Sequence, residues 1–304
     1  MLNSKKVKEV AKKLGADLVG IADVNRFEGA PKQMDPRYIN PDAKALIVIG
    51  LRIPRGALRG IEEGTYFLSY SSQGYGSINM IYNPFILYHL TRFIEDNGYE
   101  ATPIPNDYYD WPAITYHDGK LKENWSRPVS PEKPMPDIFI HFRIAAYLAG
   151  LGEIGYSKLL LTPEFGSRQR FACILTDAPL EPDPIYQGPK LCDRCMACVK
   201  ECSAGAISRD EVVKVRFKAL GTEVEWGKLD IDACTKGFQG YEPYKKYNPF
   251  IGQPSKVIIY SRALEGARGC IRACMIHLES QGKLKNKFKG PFRKRKAWYI
   301  EWEK

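Results

Sequence analysis

Four cysteines lie close together in this 304-residue chain, spaced as Cys192-x2-Cys195-x2-Cys198-x3-Cys202. Disulfides explain the run poorly, because cysteines two or three residues apart are better spaced to surround a metal cluster than to join distant segments. A structural zinc site is an alternative, but zinc favours two separated cysteine pairs. The spacing therefore predicts thiolate ligation of an iron–sulfur cluster, and with it the transfer of single electrons.

The run matches that of bacterial ferredoxins, in which three thiolates hold one cluster and the fourth reaches a second. Ser203 stands where a proline usually follows, and Ala267 stands where the second run, ending in Cys270-x3-Cys274, would have another cysteine. Cross-ligation predicts that the first cluster is held by Cys192, Cys195, Cys198 and Cys274. It assigns three thiolates to the second, namely Cys202, Cys234 and Cys270.

The second predicted cluster, which contains three or four irons, has one corner without an assigned cysteine. Cys173 and His277 are candidate ligands, an exogenous ligand is another possibility, and a three-iron cluster would need none. The apolar run around Cys173 favours a packed core cysteine over a ligand.

Apolar periodicity predicts a mixed α+β fold. Asn3 suits a helix N-cap, and apolar residues at helical spacing follow it as far as Gly15. Two further helices are expected over Pro84–Asn97 and His141–Ala149. Strands are expected at Asp17–Val24, Ala45–Ile53, Leu159–Leu161 and Phe171–Leu175. The stretch from Pro103 to Pro136 contains seven prolines, which indicates a long irregular connection.

The segment Ala149–Pro184, AGLGEIGYSKLLLTPEFGSRQRFACILTDAPLEPDP, is followed at once by the ferredoxin-type cysteines. In this combination the chain resembles the superfamily of epoxyqueuosine reductases and corrinoid reductive dehalogenases. The resemblance implies a nitroreductase-like, corrinoid-binding α/β domain over residues 1–185. A bacterial-ferredoxin-like domain with two 4Fe-4S-type clusters would follow over 186–280, and a basic C-terminal tail over 281–304.

The resemblance also implies a bound cobalamin, held by the loop Gly150–Gly155 and the strand Ser167–Asp177. Glycines let a backbone approach a large flat ligand closely. The expected corrinoid contacts are Gly150, Leu151, Gly152, Gly155, Ser167, Arg168 and Thr176. The loop also satisfies G-x-G-x-x-G, but a dinucleotide site needs a strand before it and a helix after it, which is the reverse of the predicted order.

A proton donor is chemically necessary, because reduction by electrons alone leaves an anion. The resemblance suggests Asp137, or Tyr156 with its basic neighbour Lys158, and Tyr75 is a further candidate. His141 fits a hydrogen-bonded, half-buried histidine better than a cobalt ligand.

The formal charge of the chain is +10, and residues 283–304 hold nine Lys and Arg against two Glu. Phe288 and Phe292 lie among these basic residues, a mixture that can bind nucleic acid. A solvated tail, or a docking patch for an acidic electron donor, is the favoured interpretation over RNA binding. No apolar run near the N-terminus approaches the ~20 residues of a membrane span, so a cytoplasmic protein is expected.

These observations predict a cytoplasmic, oxygen-sensitive oxidoreductase that depends on iron–sulfur clusters and cobalamin. A low-potential donor of ferredoxin or flavodoxin type would reduce the clusters, which would reduce cobalt and then a small organic or modified-nucleoside substrate. The alternative is a non-catalytic iron–sulfur electron-transfer protein or reductive activator without a corrinoid. A nucleic-acid-binding iron–sulfur sensor is a third hypothesis, based on the basic tail alone.

Overall fold

The computed structural model of the protein describes residues 2–106, 128–134, 138–234 and 269–297. The helices are α1 Ser4–Lys13, α2 Arg59–Glu62, α3 Asn83–Glu95, α4 Phe142–Leu148, α5 Ala197–Lys200 and α6 Cys270–Ser280. The strands are β1 Leu18–Asp23, β2 Ala45–Arg52, β3 Ala101–Ile104, β4 Glu153–Ile154, β5 Leu160–Leu161, β6 Gln169–Thr176, β7 Ile207–Phe217 and β8 Thr222–Leu229. Irregular helical turns at Tyr70–Gly76 and Ile78–Tyr82 lead into α3.

Local sequence signals explain where α1 begins and ends. The Asn3 side chain accepts a hydrogen bond from the amide of Lys6, 3.0 Å away, as an N-cap does. Gly15 follows the helix with a φ of +111°, a conformation that glycine adopts without a steric penalty. Val7 and Ala11 lie on one face of α1 and are fully buried against the sheet.

A four-stranded antiparallel sheet, in the order β1-β2-β6-β3, forms the centre of the fold. Its central strands β2 and β6 are buried on both faces, which explains their nearly continuous apolar sequences. α1 and α3 pack on one face of the sheet with Ile47 and Ile174, whereas α4 packs on the other with Val48 and Leu175. The mixed α+β class is therefore confirmed.

β7 and β8 form an antiparallel hairpin that the sequence pattern does not predict. Gly221, with a φ of +63°, closes the turn between the two strands. The turn end of the hairpin packs against α4, because Phe217, the last residue of β7, stacks on Tyr147 with ring centroids 5.4 Å apart. The hairpin therefore reaches the sheet domain across α4.

The cysteine-bearing helices share a core with the sheet domain. α6 packs on α5, and Ile271, Met275 and Leu278 of α6 belong to the same apolar cluster as α1 and α3. The division into domains at residues 185 and 280 stays a prediction. Among the helices that the structure describes, none combines the length and the apolar character needed to cross a membrane.

Residues 283–297 are packed against the protein, so a solvated tail is the wrong interpretation for this segment. Leu284 and Phe292 are buried in the main core. Lys285 pairs with Glu164 at 2.8 Å, and Arg293 pairs with Glu201 at 2.7 Å. Much of the positive charge in this segment is therefore offset by acids elsewhere in the chain.

Candidate iron–sulfur centre and its surroundings

Four thiols meet where α5 packs against α6. Cys198 lies on α5 and Cys274 on α6, and the thiols of Cys192 and Cys195 interact electrostatically with both. Burial, followed by the neighbouring thiols, raises the pKa of Cys198 to about 11 and raises the pKa of Cys274 well above its usual range. Buried thiols of this kind ionise readily only when a metal centre compensates their charge.

These four cysteines are the set that cross-ligation assigns to the first cluster. All eight cysteines fall within described residues, and none forms a disulfide. The donor set and its burial therefore fit an iron–sulfur cluster. Ligation itself stays a prediction.

The loop before α5 has an unusual backbone that turns three thiols toward one point. Arg194 and Met196 have φ values of 58° and 60°, a left-handed conformation that is uncommon outside glycine. The Asp193 carboxylate accepts a hydrogen bond from the amide of Cys195 at 3.2 Å and stabilises the turn. Strain of this kind is typical of functional sites.

Hydrogen bonds fix the position of Cys192. The amide of Tyr156 lies 3.4 Å from Cys192 Sγ and donates a hydrogen bond to it. The Glu153 carboxylate accepts hydrogen bonds from the amides of Leu191 and Cys192. Amide hydrogen bonds to ligand sulfurs are one means by which proteins tune cluster potentials. The loop Glu153–Tyr156 is thus joined directly to the thiol site.

Two of the three cysteines assigned to the second cluster lie beside the first group. Cys202 and Cys270 pack with Cys198 against a small apolar cluster that contains Ile207. The amide of Ala206 donates to Cys202 Sγ at 3.3 Å, and the amide of Asp230 donates to the Ala206 carbonyl at 2.9 Å. Asp230 begins the turn that carries Cys234. Local hydrogen bonds therefore tie Cys234 to the segment that follows Cys202.

Cys173 and His277, the side-chain candidates for the fourth ligand of the second cluster, both lie away from Cys202 and Cys270 or are already bonded elsewhere. Cys173 is fully buried in the middle of β6, where burial raises the pKa of its thiol far above the usual range. His277 Nε2 lies 2.7 Å from the Asp193 carboxylate, beside the first group of thiols. Cys173 is a core cysteine, as the apolar run around it predicts.

Asp193, His277 and Lys283 form a polar group at the solvent side of the first thiols. Lys283 Nζ lies 3.4 Å from the Asp193 carboxylate, and the hydrogen bond from His277 lowers the pKa of that carboxyl group. One ligand-type atom each from Asp193, Cys195 and His277 lies within 4.8 Å of the others. Cys195 is exposed, so this side of the thiol group is accessible to an external electron donor.

The glycines of the loop Gly150–Gly155 are explained by packing within the chain. A side-chain carbon at Gly150 would overlap the carbonyl of Pro184, and one at Gly152 would overlap the carbonyl of Leu161. At Gly155, such an atom would lie 3.0 Å from the Leu161 side chain. Contact with a ligand is not needed to account for these residues.

The polar residues predicted to contact a corrinoid are bonded within the protein. The Ser167 hydroxyl donates to the carbonyl of Ile271, and Thr176 donates to that of Glu100. The buried Arg168 guanidinium donates to Asn286, and only its Nε lacks a partner. Burial lowers the pKa of Arg168 to about 10. Ser167 lies two residues before β6 and Thr176 is the last residue of β6, so the length of the strand separates these two side chains. The corrinoid contacts stay a prediction.

Of the candidate proton donors Asp137, Tyr156 and Lys158, the structure describes the last two. Asp137 lies outside the described residues. The Tyr156 hydroxyl donates to the backbone carbonyls of Ser208 and Arg209, at 3.2 and 2.9 Å, and is therefore occupied in holding β7. Lys158 has no carboxylate partner among the described residues.

Lys158 lies in an electropositive, half-buried setting. Burial, followed by the charge of Arg143, lowers its pKa to about 8. Its ammonium lies over the ring of Trp226, 4.9 Å from the centroid. Burial, with Lys158 and Arg143, lowers the pKa of His141 to about 3, and His141 Nδ1 accepts a hydrogen bond from the amide of Ile144 at 3.4 Å. His141 is therefore the hydrogen-bonded histidine that was predicted.

Trp226, Arg143 and the pairing of His277 with Asp193 are not predicted by the sequence pattern. Trp226 belongs to the unpredicted hairpin, and Arg143 is one of many basic residues in the chain. The spacing of His277 three residues after Cys274 places it one turn further along α6. That spacing was a signal for a position near the first thiols.

Sequence comparison finds partial relatives of two kinds. The tetrachloroethene reductive dehalogenase of Desulfitobacterium hafniense is 44% identical over 72 residues, which is 23% of this chain and 13% of that protein. The epoxyqueuosine reductase of Synechococcus sp. (strain CC9605) is 43% identical over 68 residues, 22% of this chain and 21% of that protein. No protein-family model matches the chain.

Solved structures of the same two kinds share the fold. A catabolic reductive dehalogenase matches 93% of this chain and 37% of its own chain, with a TM-score of 0.54 and 21% identity. An epoxyqueuosine reductase matches 89% of this chain and 64% of its own, with a TM-score of 0.50 and 17% identity. The matched regions therefore cover less than two thirds of these relatives.

Both kinds of relative are oxidoreductases, and this is the class that the thiol site and the fold indicate. Over the matched segments, the chain is similar to reductive dehalogenases and epoxyqueuosine reductases, as its sequence resemblance predicts.

Proposed function

We propose that this chain is an iron–sulfur reductase that passes single electrons through two clusters to an organic substrate. The observation that carries the proposal is the meeting of Cys192, Cys195, Cys198 and Cys274 at the contact between α5 and α6. Cys202, Cys234 and Cys270 would hold the second cluster. When bound, the clusters would supply one-electron transfer at low potential.

The exposed side of the first thiol group is the proposed entry for electrons from a ferredoxin- or flavodoxin-type donor. Lys158 is the proposed proton donor, because an ammonium with a pKa of about 8 releases its proton more easily than an ordinary lysine. Its loop also contacts Cys192 through Tyr156. The names of the relatives suggest a small organic compound or a modified nucleoside as the substrate.

Cobalamin is the further carrier that the superfamily suggests, since one reductive dehalogenase of known structure is described as performing B12-dependent dehalogenation. The described residues fit it poorly, because the spaces at Gly150 and Gly152 are filled by the chain itself. This packing favours the alternative function, an iron–sulfur electron-transfer protein or reductive activator without a corrinoid. The proposed roles of the cysteines and Lys158 hold without a corrinoid.

Anaerobic purification with cobalamin supplied, followed by iron, sulfide, zinc and cobalt analysis and EPR, tests the proposal. About eight irons per chain are expected if both sites hold four-iron clusters. Cys274→Ala should lose about half of the iron, whereas the control Cys173→Ala, in the core, should keep all of it. Zinc in place of iron, or unchanged iron in Cys274→Ala, would contradict the proposal. Cobalt at one per chain would add the corrinoid as a further carrier. Without cobalt, reduction of an organic substrate by the iron-loaded chain distinguishes the reductase from the alternative electron-transfer protein.

A further inference from the structure

Three basic side chains meet at the start of α4 and the loop after β4. Arg143 Nη1 donates to the backbone carbonyl of Lys158 at 3.3 Å. Arg143 also lowers the pKa of Lys158 and of His141 through its charge, and Lys158 acts on His141 in the same way. His141, with a pKa of about 3, is neutral at neutral pH and can donate a hydrogen bond only through Nε2. The side chains of Arg143 and Lys158 are half-buried, so solvent screens the repulsion between these two cations only in part. Their assembly costs free energy unless an anion offsets it.

The described residues do not provide that anion. The Lys158 ammonium contacts the face of Trp226, and no carboxylate in the described ranges pairs with it. Glu153, on β4, accepts hydrogen bonds from two amides at the thiol site. Glu225, the neighbour of Trp226, pairs with Arg194 and lies 3.8 Å from Lys214. The acids nearest along these strands are therefore already bound elsewhere.

The aromatic wall of this site is held firmly in place. The amide of Gly227 donates to the carbonyl of Tyr156 at 2.8 Å, which fixes β8 beside the loop that carries Lys158. A side-chain carbon at Gly227 would lie 2.6 Å from the Tyr156 ring, so only glycine allows this approach. The hydrogen bond from the Tyr156 amide to Cys192 places the same loop against the first thiols.

We propose that Lys158, Arg143 and His141 bind an oxyanion group of the substrate, against the wall formed by Trp226. The substrates are then organic anions, with a carboxylate, phenolate or phosphate group held close to the source of electrons. This inference rests on the proposed function, because it names the substrate class of the same reductase.

Anaerobic calorimetry on the cluster-loaded full chain tests the inference with three probes of similar shape. Benzoate and phenyl phosphate carry an oxyanion, and benzamide is neutral. At least one of the two anions should bind, and benzamide should bind at least about tenfold more weakly, because it lacks the charge that strengthens hydrogen bonds to Arg143 and Lys158. The preference between the two anions distinguishes carboxylate from phosphate substrates.

Variants show whether the binding depends on these residues. Arg143→Gln should weaken anion binding about tenfold or more, and Arg143→Lys should retain most of it. Arg216→Gln, on the exposed face of β7, is the matched control and should bind like the wild type. His141→Gln is a second variant, which serves if Arg143→Gln does not fold.

Equal binding of benzamide and benzoate, no binding of either anion, or full affinity in Arg143→Gln and His141→Gln would overturn the inference. Iron content and EPR of the same samples separate this failure from that of the proposed function. Loaded clusters without anion binding refute the oxyanion site alone. A chain that takes up no iron refutes the reductase, whatever it binds.

Discussion

Replacing Glu62 by Gln should destabilise the protein strongly, because this carboxylate joins three parts of the fold. Glu62, at the end of α2, has a side chain only 2% exposed and contacts both Arg272 of α6 and Arg293. Arg293 in turn pairs with Glu201, at the end of α5, at 2.7 and 2.9 Å. Two acids and two bases thus balance each other in a largely buried network.

The magnitude follows from what the substitution leaves behind. The Arg272 side chain is 2% exposed, and its Nε and Nη2 already lack hydrogen-bond partners. Glu62→Gln keeps the shape of the side chain but removes the charge that offsets Arg272. Breaking a buried ion pair in this way costs about 3–5 kcal/mol. That is a large fraction of the ~5–15 kcal/mol by which most domains are stable.

Urea unfolding under anaerobic conditions measures the effect, with Glu63→Gln as the matched control. Glu63 is the next residue, its side chain is 36% exposed, and it pairs with Arg59 and Arg295 near the surface. Exposed pairs contribute ~0–1 kcal/mol, so the control should shift the midpoint only slightly. If both substitutions lower the free energy of unfolding equally, the assignment of a buried network is refuted.

Three further outcomes are expected from purified variants. Gly152→Ala should lower the free energy of unfolding by about 1–3 kcal/mol, because the added methyl overlaps the carbonyl of Leu161, whereas Gly56→Ala, with open space around it, should cost little. Tyr156→Phe should lower the free energy of unfolding by about 1–3 kcal/mol, because the Tyr156 hydroxyl donates to two backbone carbonyls. The variant should keep its iron. Lost activity at unchanged stability would contradict this structural role. The pKa of Lys158 falls from 10.5 to about 8 on folding, so between pH 8 and pH 10.5 the unfolded chain binds more protons than the folded one. The free energy of unfolding should therefore rise with pH across this range. Unfolding of Lys158→Gln, measured at several pH values, should lack that rise.

Local patterns made much of the sheet domain predictable. The N-cap at Asn3 and the apolar runs of β2 and β6 are signals within a few residues, and each led to the correct element. The hairpin was missed for a physical reason. Most residues of β7 are exposed on both faces, so the strand has no apolar alternation to read. β3 was missed because it overlaps the start of the proline-containing stretch.

The candidate site could be predicted from the sequence only where the spacing of the cysteines indicates metal ligation. The run from Cys192 to Cys202, together with Cys274, indicated which thiols would meet. The surroundings depend on contacts between distant residues. Trp226 reaches Lys158 through the pairing of β8 with the Tyr156 loop, and Arg293 finds Glu62 from 231 residues away. No local pattern encodes such partners, which is why the basic segment looked solvated.

The position of Arg293 in the chain has a consequence for biosynthesis. A ribosome releases Cys192 to Cys202 well before it adds Cys274, and Arg293 comes later still. Until Arg293 is synthesised, Glu62 and Glu201 lack the base that pairs with both of them. Until Cys274 is synthesised, the first group has only three of its four thiols. The contact between the sheet domain and the cysteine-bearing helices is therefore incomplete during translation. This leaves an interval in which an assembly factor can deliver iron and sulfide before the fold is complete.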